Sequence, residues 1–134
     1  MIYLDSCAIV KLIRPEDESV PLSDWLNDQG DAVVVTNELA EVEVARALRR
    51  NSPARLAAMP NVLAQINRIE MDASVRATAA AYVDPLLRSL DAIHLATADT
   101  LVASGKPVSA FVTYDRRLAS AAVELGLSVA APRA

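Results

Sequence analysis

Ile2-Tyr3-Leu4 is a short apolar run of β type that ends on an acid, Asp5. The small and apolar segment Ser6 to Leu12 behind it reads as a short helix, stopped before Pro15. After the acidic cluster Glu16-Asp17-Glu18, Ser19 is the expected N-cap of a helix that passes Trp25 and Leu26 and ends near Gly30. Ala32 to Thr36 (AVVVT) is a continuous β-branched run, the pattern of a strand buried on both faces of a parallel sheet. Asn37 is the expected cap of the next helix, Glu38 to about Arg50, with Leu39, Val42 and Leu48 near one side and Ser52-Pro53 as its stop. A further short helix reaches Asn67, and Arg68 to Met71 reads as a weak edge strand. Asp72 or Ser74 caps an alanine-rich helix to about Val83, ended by Pro85. Asp91 opens a mostly apolar helix that Gly105-Lys106-Pro107 closes. Ala110 to Thr113 is a second buried strand, followed by Asp115, a helix from about Arg117 to Leu125, Gly126 at its C-terminus and a last strand near Val129. This alternation of strand and helix predicts an α/β fold, a parallel sheet with helices on both faces. No repeat, low-complexity tract or linker divides residues 1–134, which read as a single domain of a size suited to one core.

Composition narrows the class. With 53% hydrophobic and 22% charged residues the chain has a globular rather than a disordered balance. No apolar run approaches the roughly 18 to 20 residues of a membrane helix, and the N-terminus lacks a basic, then apolar, leader, so a cytoplasmic location is expected. One cysteine, Cys7, and one histidine, His94, leave no internal disulfide and too few soft ligands for structural zinc. The net charge of -4 argues against a nucleic-acid partner. Against it, 11 of the 13 basic residues are arginine, clustered at Arg46, Arg49, Arg50 and Arg55 and again at Arg116 and Arg117. Arginine suits bidentate phosphate contacts, although a compositional bias explains the same counts.

In open α/β sheets ligands bind beyond the carboxyl ends of the strands, and two acids stand there: Asp5 directly after the first strand and Asp115 just after Thr113. Either alone is explained as a turn or helix cap; the pair is harder to dismiss. Glu41 and Glu43 both lie on the helix that follows the AVVVT run, and a carboxylate on an apolar face needs a partner or a metal. A surface Glu43 paired with Arg46 or Arg50 is the plainer alternative. Asp91 is either the anion at its helix N-terminus or a member of the same cleft as Asp5. Asp99, about 80° around the helix and about 12 Å along it from Asp91, falls outside one small site. His94, three residues after Asp91, reads as a core or supporting histidine rather than a ligand.

Four strings in order resemble the PIN-domain ribonucleases, specifically the VapC-type toxins of bacterial and archaeal toxin-antitoxin pairs. IYLDSCAIVKL carries Asp5 and Ser6; NELAEVEVARALRR carries Glu43 with Arg46 three later, which selects Glu43 over Glu41. LRSLDAIHLATA carries Asp91, and FVTYDRRLASAAVELGL carries Thr113 and Asp115. The resemblance covers nearly the whole chain. It implies a three-layer α/β/α sandwich with a mainly parallel sheet, with Asp5, Glu43, Asp91 and Asp115 as catalytic metal-holding acids gathered in one pocket. The implied activity is endoribonuclease cleavage of RNA phosphodiester bonds by water activated on Mg2+ or Mn2+, hard cations suited to an oxygen-donor set. Asp5 and Asp91 are the expected principal ligands; Ser6 and Thr113 are expected to orient carboxylates, and Arg46, Arg49, Arg50, Arg116 and Arg117 to meet RNA phosphates. The resemblance also implies a homodimer and a cognate VapB-type antitoxin, for which Trp25, Leu26 and the surroundings of Leu12 are a candidate groove. Cys7 departs from the serine or asparagine common there.

Two alternatives stand beside this reading. A dehalogenase-type domain wants an acid two residues after the first, where this chain has Cys7, and a receiver domain wants a lysine after a late strand, whereas Lys106 precedes it. A PIN-like binding module without activity keeps the fold but has no need of all four acids. If the acids do share a pocket, their mutual repulsion is expected to raise their pKa values.

Overall fold

Helical segments separate every strand of the chain from the next, so each return to the sheet brings a strand in parallel to its neighbour. The computed structural model describes residues 1–134 and contains five strands: β1 (Ile2–Leu4), β2 (Val34–Asn37), β3 (Asn67–Ile69), β4 (Ala110–Val112) and β5 (Val129–Ala130). They form one sheet in the order β3-β2-β1-β4-β5, with every pairing parallel. The central strand β1 is buried throughout, and its register sets Tyr3 beside Val35 and Phe111.

Because successive strand residues face opposite ways, β1 feeds two cores. Ile2 and Leu4 pack with Val112 under α1 (Ser6–Ile13), α2 (Ser19–Asn27), α3 (Ala40–Asn51) and α4 (Met59–Leu63), the last preceded by a 3-10 segment at Pro53–Ala58. Tyr3, Val35 and Phe111 face the other way, under α6 (Ser89–Ala103) and α7 (Arg116–Glu124), where they meet Leu95, Leu101 and Leu118, and α5 (Ala73–Ala81) packs against α6. The Tyr3 and Phe111 rings stack with centroids 5.1 Å apart and planes nearly parallel. The result is the three-layer α/β/α arrangement.

Several element boundaries differ from those the local pattern predicts. β2 starts at Val34, and Asn37 is its last residue rather than a helix cap. The Asn37 side chain accepts from Leu39 N and donates to Thr97 Oγ1 of α6, tying β2 to the opposite layer. α3 begins at Ala40 and buries Ala40, Val44 and Leu48 at i, i+4, i+8, whereas Val42 is 58% exposed. Ser19 accepts from Glu16 N as the first residue of α2 and does not occupy its cap position, which is Glu18. Asp72 does cap α5 through Val75 N. Asp91 is the third residue of α6 rather than its first, and β3 closes one edge of the sheet at Asn67–Ile69. Gly126, at φ +84°, reverses the chain after α7 in the left-handed region open to glycine.

The face of α3 is testable. Leu48→Ala should destabilise the chain by about 2 to 5 kcal/mol, since the vacated core volume does not collapse. Val42→Ala should stay within about 0.5 kcal/mol, as exposed substitutions do. Urea unfolding of the two variants distinguishes this face from the Leu39-Val42-Leu48 side.

Candidate active site

β1 ends inside the molecule, and the next residue is a carboxylate. Asp5 is only 3% exposed. Its Oδ1 accepts from Ala8 N at 2.8 Å, capping α1, and its Oδ2 accepts from Thr113 Oγ1 at 2.5 Å. Thr113, just past β4, also accepts from Asp115 N at 3.1 Å. Asp115 in turn caps α7, its Oδ1 accepting from Arg117 N and Leu118 N, while Oδ2 has no partner. One threonine hydroxyl thereby links the acids that end β1 and follow β4. Helix capping and a place at the carboxyl edge coincide in both acids.

Glu43 approaches from the first turn of α3. It pairs with neither Arg46 nor Arg50; its Oε1 accepts from Ser6 Oγ at 2.7 Å and from His94 Nε2 at 2.7 Å. Ser6 is the first residue of α1 and His94 lies one turn beyond Asp91 on α6, so Glu43 is held from both helical layers. The far side of the imidazole is also occupied: Nδ1 lies 2.6 Å from the Tyr3 hydroxyl, which accepts from Asn37 N at 3.1 Å. Asp91, half-buried in the first turn of α6, makes no hydrogen bond through its carboxylate and is the freest of the four acids. Both predicted hydroxyls thus touch a carboxylate, Thr113 that of Asp5 and Ser6 that of Glu43.

The four acids share one electrostatic field. Burial pushes the Asp5 carboxyl up, against Thr113, Ala8 N and His94, and the Asp91 charge adds to the rise. Asp91 is also pushed up, by burial first and then by Asp115 and Glu43, with His94 and Arg88 opposing. Cys7 lies within reach of all four: burial and then the charges of Asp5, Asp91, Glu43 and Asp115 push its thiol up to about 12. A thiol so placed stays protonated and is no nucleophile. The expectation of raised values fails at Glu43, whose carboxyl is lowered: burial acts upward, but the hydrogen bonds from His94 and the Ser6 hydroxyl outweigh it.

As the side chains stand, no three of His, Cys, Asp or Glu are drawn together tightly enough to coordinate one ion. The donor set nevertheless fits a hard divalent cation. It is all carboxylate oxygen, it leaves Asp91, Glu43 Oε2 and Asp115 Oδ2 unpartnered, and two of its members carry repulsion that a cation would relieve.

The remaining predicted residues divide by position. Arg46, Arg49, Arg50, Arg116 and Arg117 are all exposed and none forms an ion pair. Arg46 and Arg50 follow Glu43 at i+3 and i+7, near its side of α3, while Arg49 is turned away; Arg116 and Arg117 follow Asp115 directly. Asp99 stands apart, accepting from Tyr82 OH at 2.8 Å. A cleft of about 320 Å³ lies on the α1-α2 side, lined by Leu4, Leu12, Leu26, Val34, Val62 and Ile66 among others. Trp25 packs against the adjoining core rather than lining the cleft. Sequence reasoning missed the Tyr3-His94 pair. Its one signal was a histidine in an otherwise apolar helix, since a buried imidazole requires partners.

A family model for the PIN domain matches residues 2–124. The chain is 56% identical over 132 residues to Ribonuclease VapC35 of Mycobacterium tuberculosis, covering 98% of this chain and 97% of that one. It is 40% identical over 131 residues to Ribonuclease VapC46 of the same organism, again covering 98% and 97%. Among solved structures, the crystal structure of M. tuberculosis VapC20, described as a sarcin-ricin loop cleaving toxin, matches with a TM-score of 0.70 over 90% of this chain and 95% of that chain. At 17% identity that last likeness is one of fold.

The raised carboxyls make a stability prediction with a definite sign. Asp5 and Asp91 titrate higher folded than unfolded, so their ionisation opposes folding at neutral pH and the opposition fades as pH falls through the raised values. Glu43 acts oppositely, its contribution present above the ordinary carboxylate range and lost as pH falls through its lowered value. Asp91→Asn, which breaks no hydrogen bond, should therefore raise the metal-free melting temperature at pH 7, by about 4 °C for each kcal/mol relieved. Saturating Mg2+ or Mn2+ should raise the melting temperature of the original chain more than that of the variant. Thermal melts in chelator and in each metal check both.

Proposed function

The chain belongs to the PIN-domain family, among the VapC ribonucleases, and from that premise we propose that it is the toxin of a toxin-antitoxin pair, a divalent-metal-dependent endoribonuclease. The observation that carries the reading is the hydrogen-bonded cluster at the carboxyl edge of a parallel sheet, where Thr113 joins Asp5 to Asp115 and where Ser6 and His94 tie Glu43 to the helix after Asp5 and the helix that carries Asp91. Asp5 and Asp91 are assigned as the principal holders of Mg2+ or Mn2+, with Glu43 and Asp115 completing the oxygen set. When bound, the cation supplies activation of the attacking water and neutralisation of charge at the scissile phosphate.

The protein's own part is placement. Thr113 and the start of α1 hold Asp5; Ser6 and His94 hold Glu43; the caps of α1 and α7 fix where their acids sit. Without a cation the pocket repels phosphate, because its four acids match the whole net charge of -4. The exposed, unpaired Arg46, Arg50, Arg116 and Arg117 are the assigned phosphate contacts around it, and Arg49, turned away on α3, is the one expected arginine left out. With 4% aromatic residues, recognition rests on RNA shape and backbone more than on stacked bases.

The same reading gives the chain a VapB-type antitoxin, a homodimeric state and a cytoplasmic location. No helix is long and apolar enough to cross a membrane. The cleft lined by Leu12, Leu26, Val62 and Ile66 is the surface assigned to the antitoxin's extended segment.

Incubation of purified chain with total cellular RNA should give cleavage with Mg2+ or Mn2+ and none with chelator. Asp5→Asn and Asp91→Asn should each reduce the rate by at least about a hundredfold, beyond the range typical of outer partners. Metal binding to the original chain without any cleavage of a varied RNA pool, or no metal binding at all, would favour the inactive PIN-like module. Arg46→Ala and Arg116→Ala should weaken RNA binding across sequences and each reduce the salt slope by about 1, read from binding isotherms at several salt concentrations.

A further inference from the structure

Glu43 is gripped through one oxygen by two side chains, whereas the one gripped oxygen of Asp115 is held by backbone N–H groups. Oε1 receives both Ser6 and His94, and Oε2 receives nothing. The His94 ring is 1% exposed, and its grip depends on which ring nitrogen carries the proton.

Neighbouring donors decide that. Asn37 N–H is committed to the Tyr3 oxygen at 3.1 Å. The hydroxyls of Thr36 and Thr97, which flank this part of the sheet and α6, direct their protons to the carbonyls of Leu4 and Ile93. With its oxygen already accepting from Asn37 N, the phenol has its own proton left to give, and the hydrogen-bond partner left for it is His94 Nδ1 at 2.6 Å. The phenol therefore donates to Nδ1. A neutral ring that accepts at Nδ1 carries its proton on Nε2, the nitrogen 2.7 Å from Glu43 and 3.1 Å from Ser6 Oγ. Ser6 gives its own proton to Glu43 and accepts the weaker branch from the ring.

We infer that His94 is a positioning residue for Glu43, fixed as its Nε2–H tautomer by the Asn37-Tyr3 pair, so that Glu43 offers a divalent cation Oε2 alone. The device reaches from the core of one layer to a carboxylate on a helix of the other, and its effect on cleavage rests on the nuclease reading. Tyr3 and Asn37 act through the ring and touch no substrate. Leucine at position 94 removes the donor while keeping bulk; glutamine returns an amide N–H near the place of Nε2–H.

The tautomer is testable without any RNA. In the metal-free full chain labelled with 15N-histidine at neutral pH, Nε2 should give a protonated and Nδ1 an unprotonated shift, and Tyr3→Phe should move both toward a mixture. A protonated Nδ1 in the original chain overturns the inference. Mn2+ affinity by electron paramagnetic resonance, with RNA cleavage alongside, gives the second readout. His94→Leu should weaken Mn2+ binding and lower kcat by about 10- to 100-fold with little change in KM for RNA, and His94→Gln should recover most of both. Equal loss in the two variants, or no loss in His94→Leu, overturns the positioning role. Should His94→Leu fail to melt cooperatively, Tyr3→Phe replaces it, with weakened Mn2+ binding expected and unchanged binding contrary. An original chain that binds Mn2+ with the expected tautomer yet cuts no RNA defeats the nuclease reading alone.

Discussion

A carboxylate almost wholly removed from water at the end of the central strand is the constraint to which the rest of this structure answers. Asp5 stands where β1 gives way to α1, and burial there is unfavourable to its charge. Two neutral donors, Ala8 N–H and the Thr113 hydroxyl, satisfy its oxygens without neutralising it. The first is local, at the start of α1; the second is available only because β1 and β4 are paired in the register that sets Leu4 beside Val112, bringing Thr113 alongside Asp5. The sheet is thus the support of the acid, and a shift of one residue would send Thr113 elsewhere.

The arrangement stores charge repulsion at a single place. Asp5 and Asp91 are held against their own ionisation, while Glu43 is relieved by an imidazole and a hydroxyl. A fold optimised for stability alone would not gather acids this way; one that is to hold a cation would, because the bound ion turns the same repulsion into attraction. The two cores on either side of the sheet, with Tyr3 and Phe111 stacked in one and Ile2 and Leu4 in the other, supply the packing that tolerates it.

Connections between the layers run through polar side chains at the carboxyl edge. Asn37 of β2 reaches Thr97 of α6, and Glu43 of α3 reaches His94 of α6. No buried side-chain nitrogen or oxygen in the molecule is left without a hydrogen-bond partner. A satisfied network of this kind gives the edge one geometry, since any alternative placement strands a buried polar atom.

Much of this was legible along the chain. The alternation of β-branched runs with amphipathic segments determined a parallel sheet between helical layers, and acids directly after buried strands marked Asp5 and Asp115, because position relative to a strand end is a local property. Glu43 and Asp91 lay on helices whose orientation no local pattern gives, and only the family resemblance separated Glu43 from Glu41. Tertiary structure alone decided which side of α3 is buried, since Val42 and Val44 are equally apolar and only packing against α1 selects Val44. It also decided that Asn37 serves a strand end and a distant helix rather than a cap. The same holds for the partners of Ser6 and His94: Glu43 is 37 residues from Ser6 and 51 from His94, and Tyr3 is 91 from His94. Spacing encodes contacts one helical turn or one strand step away; contacts across the sheet edge arise only when strand register brings remote segments together.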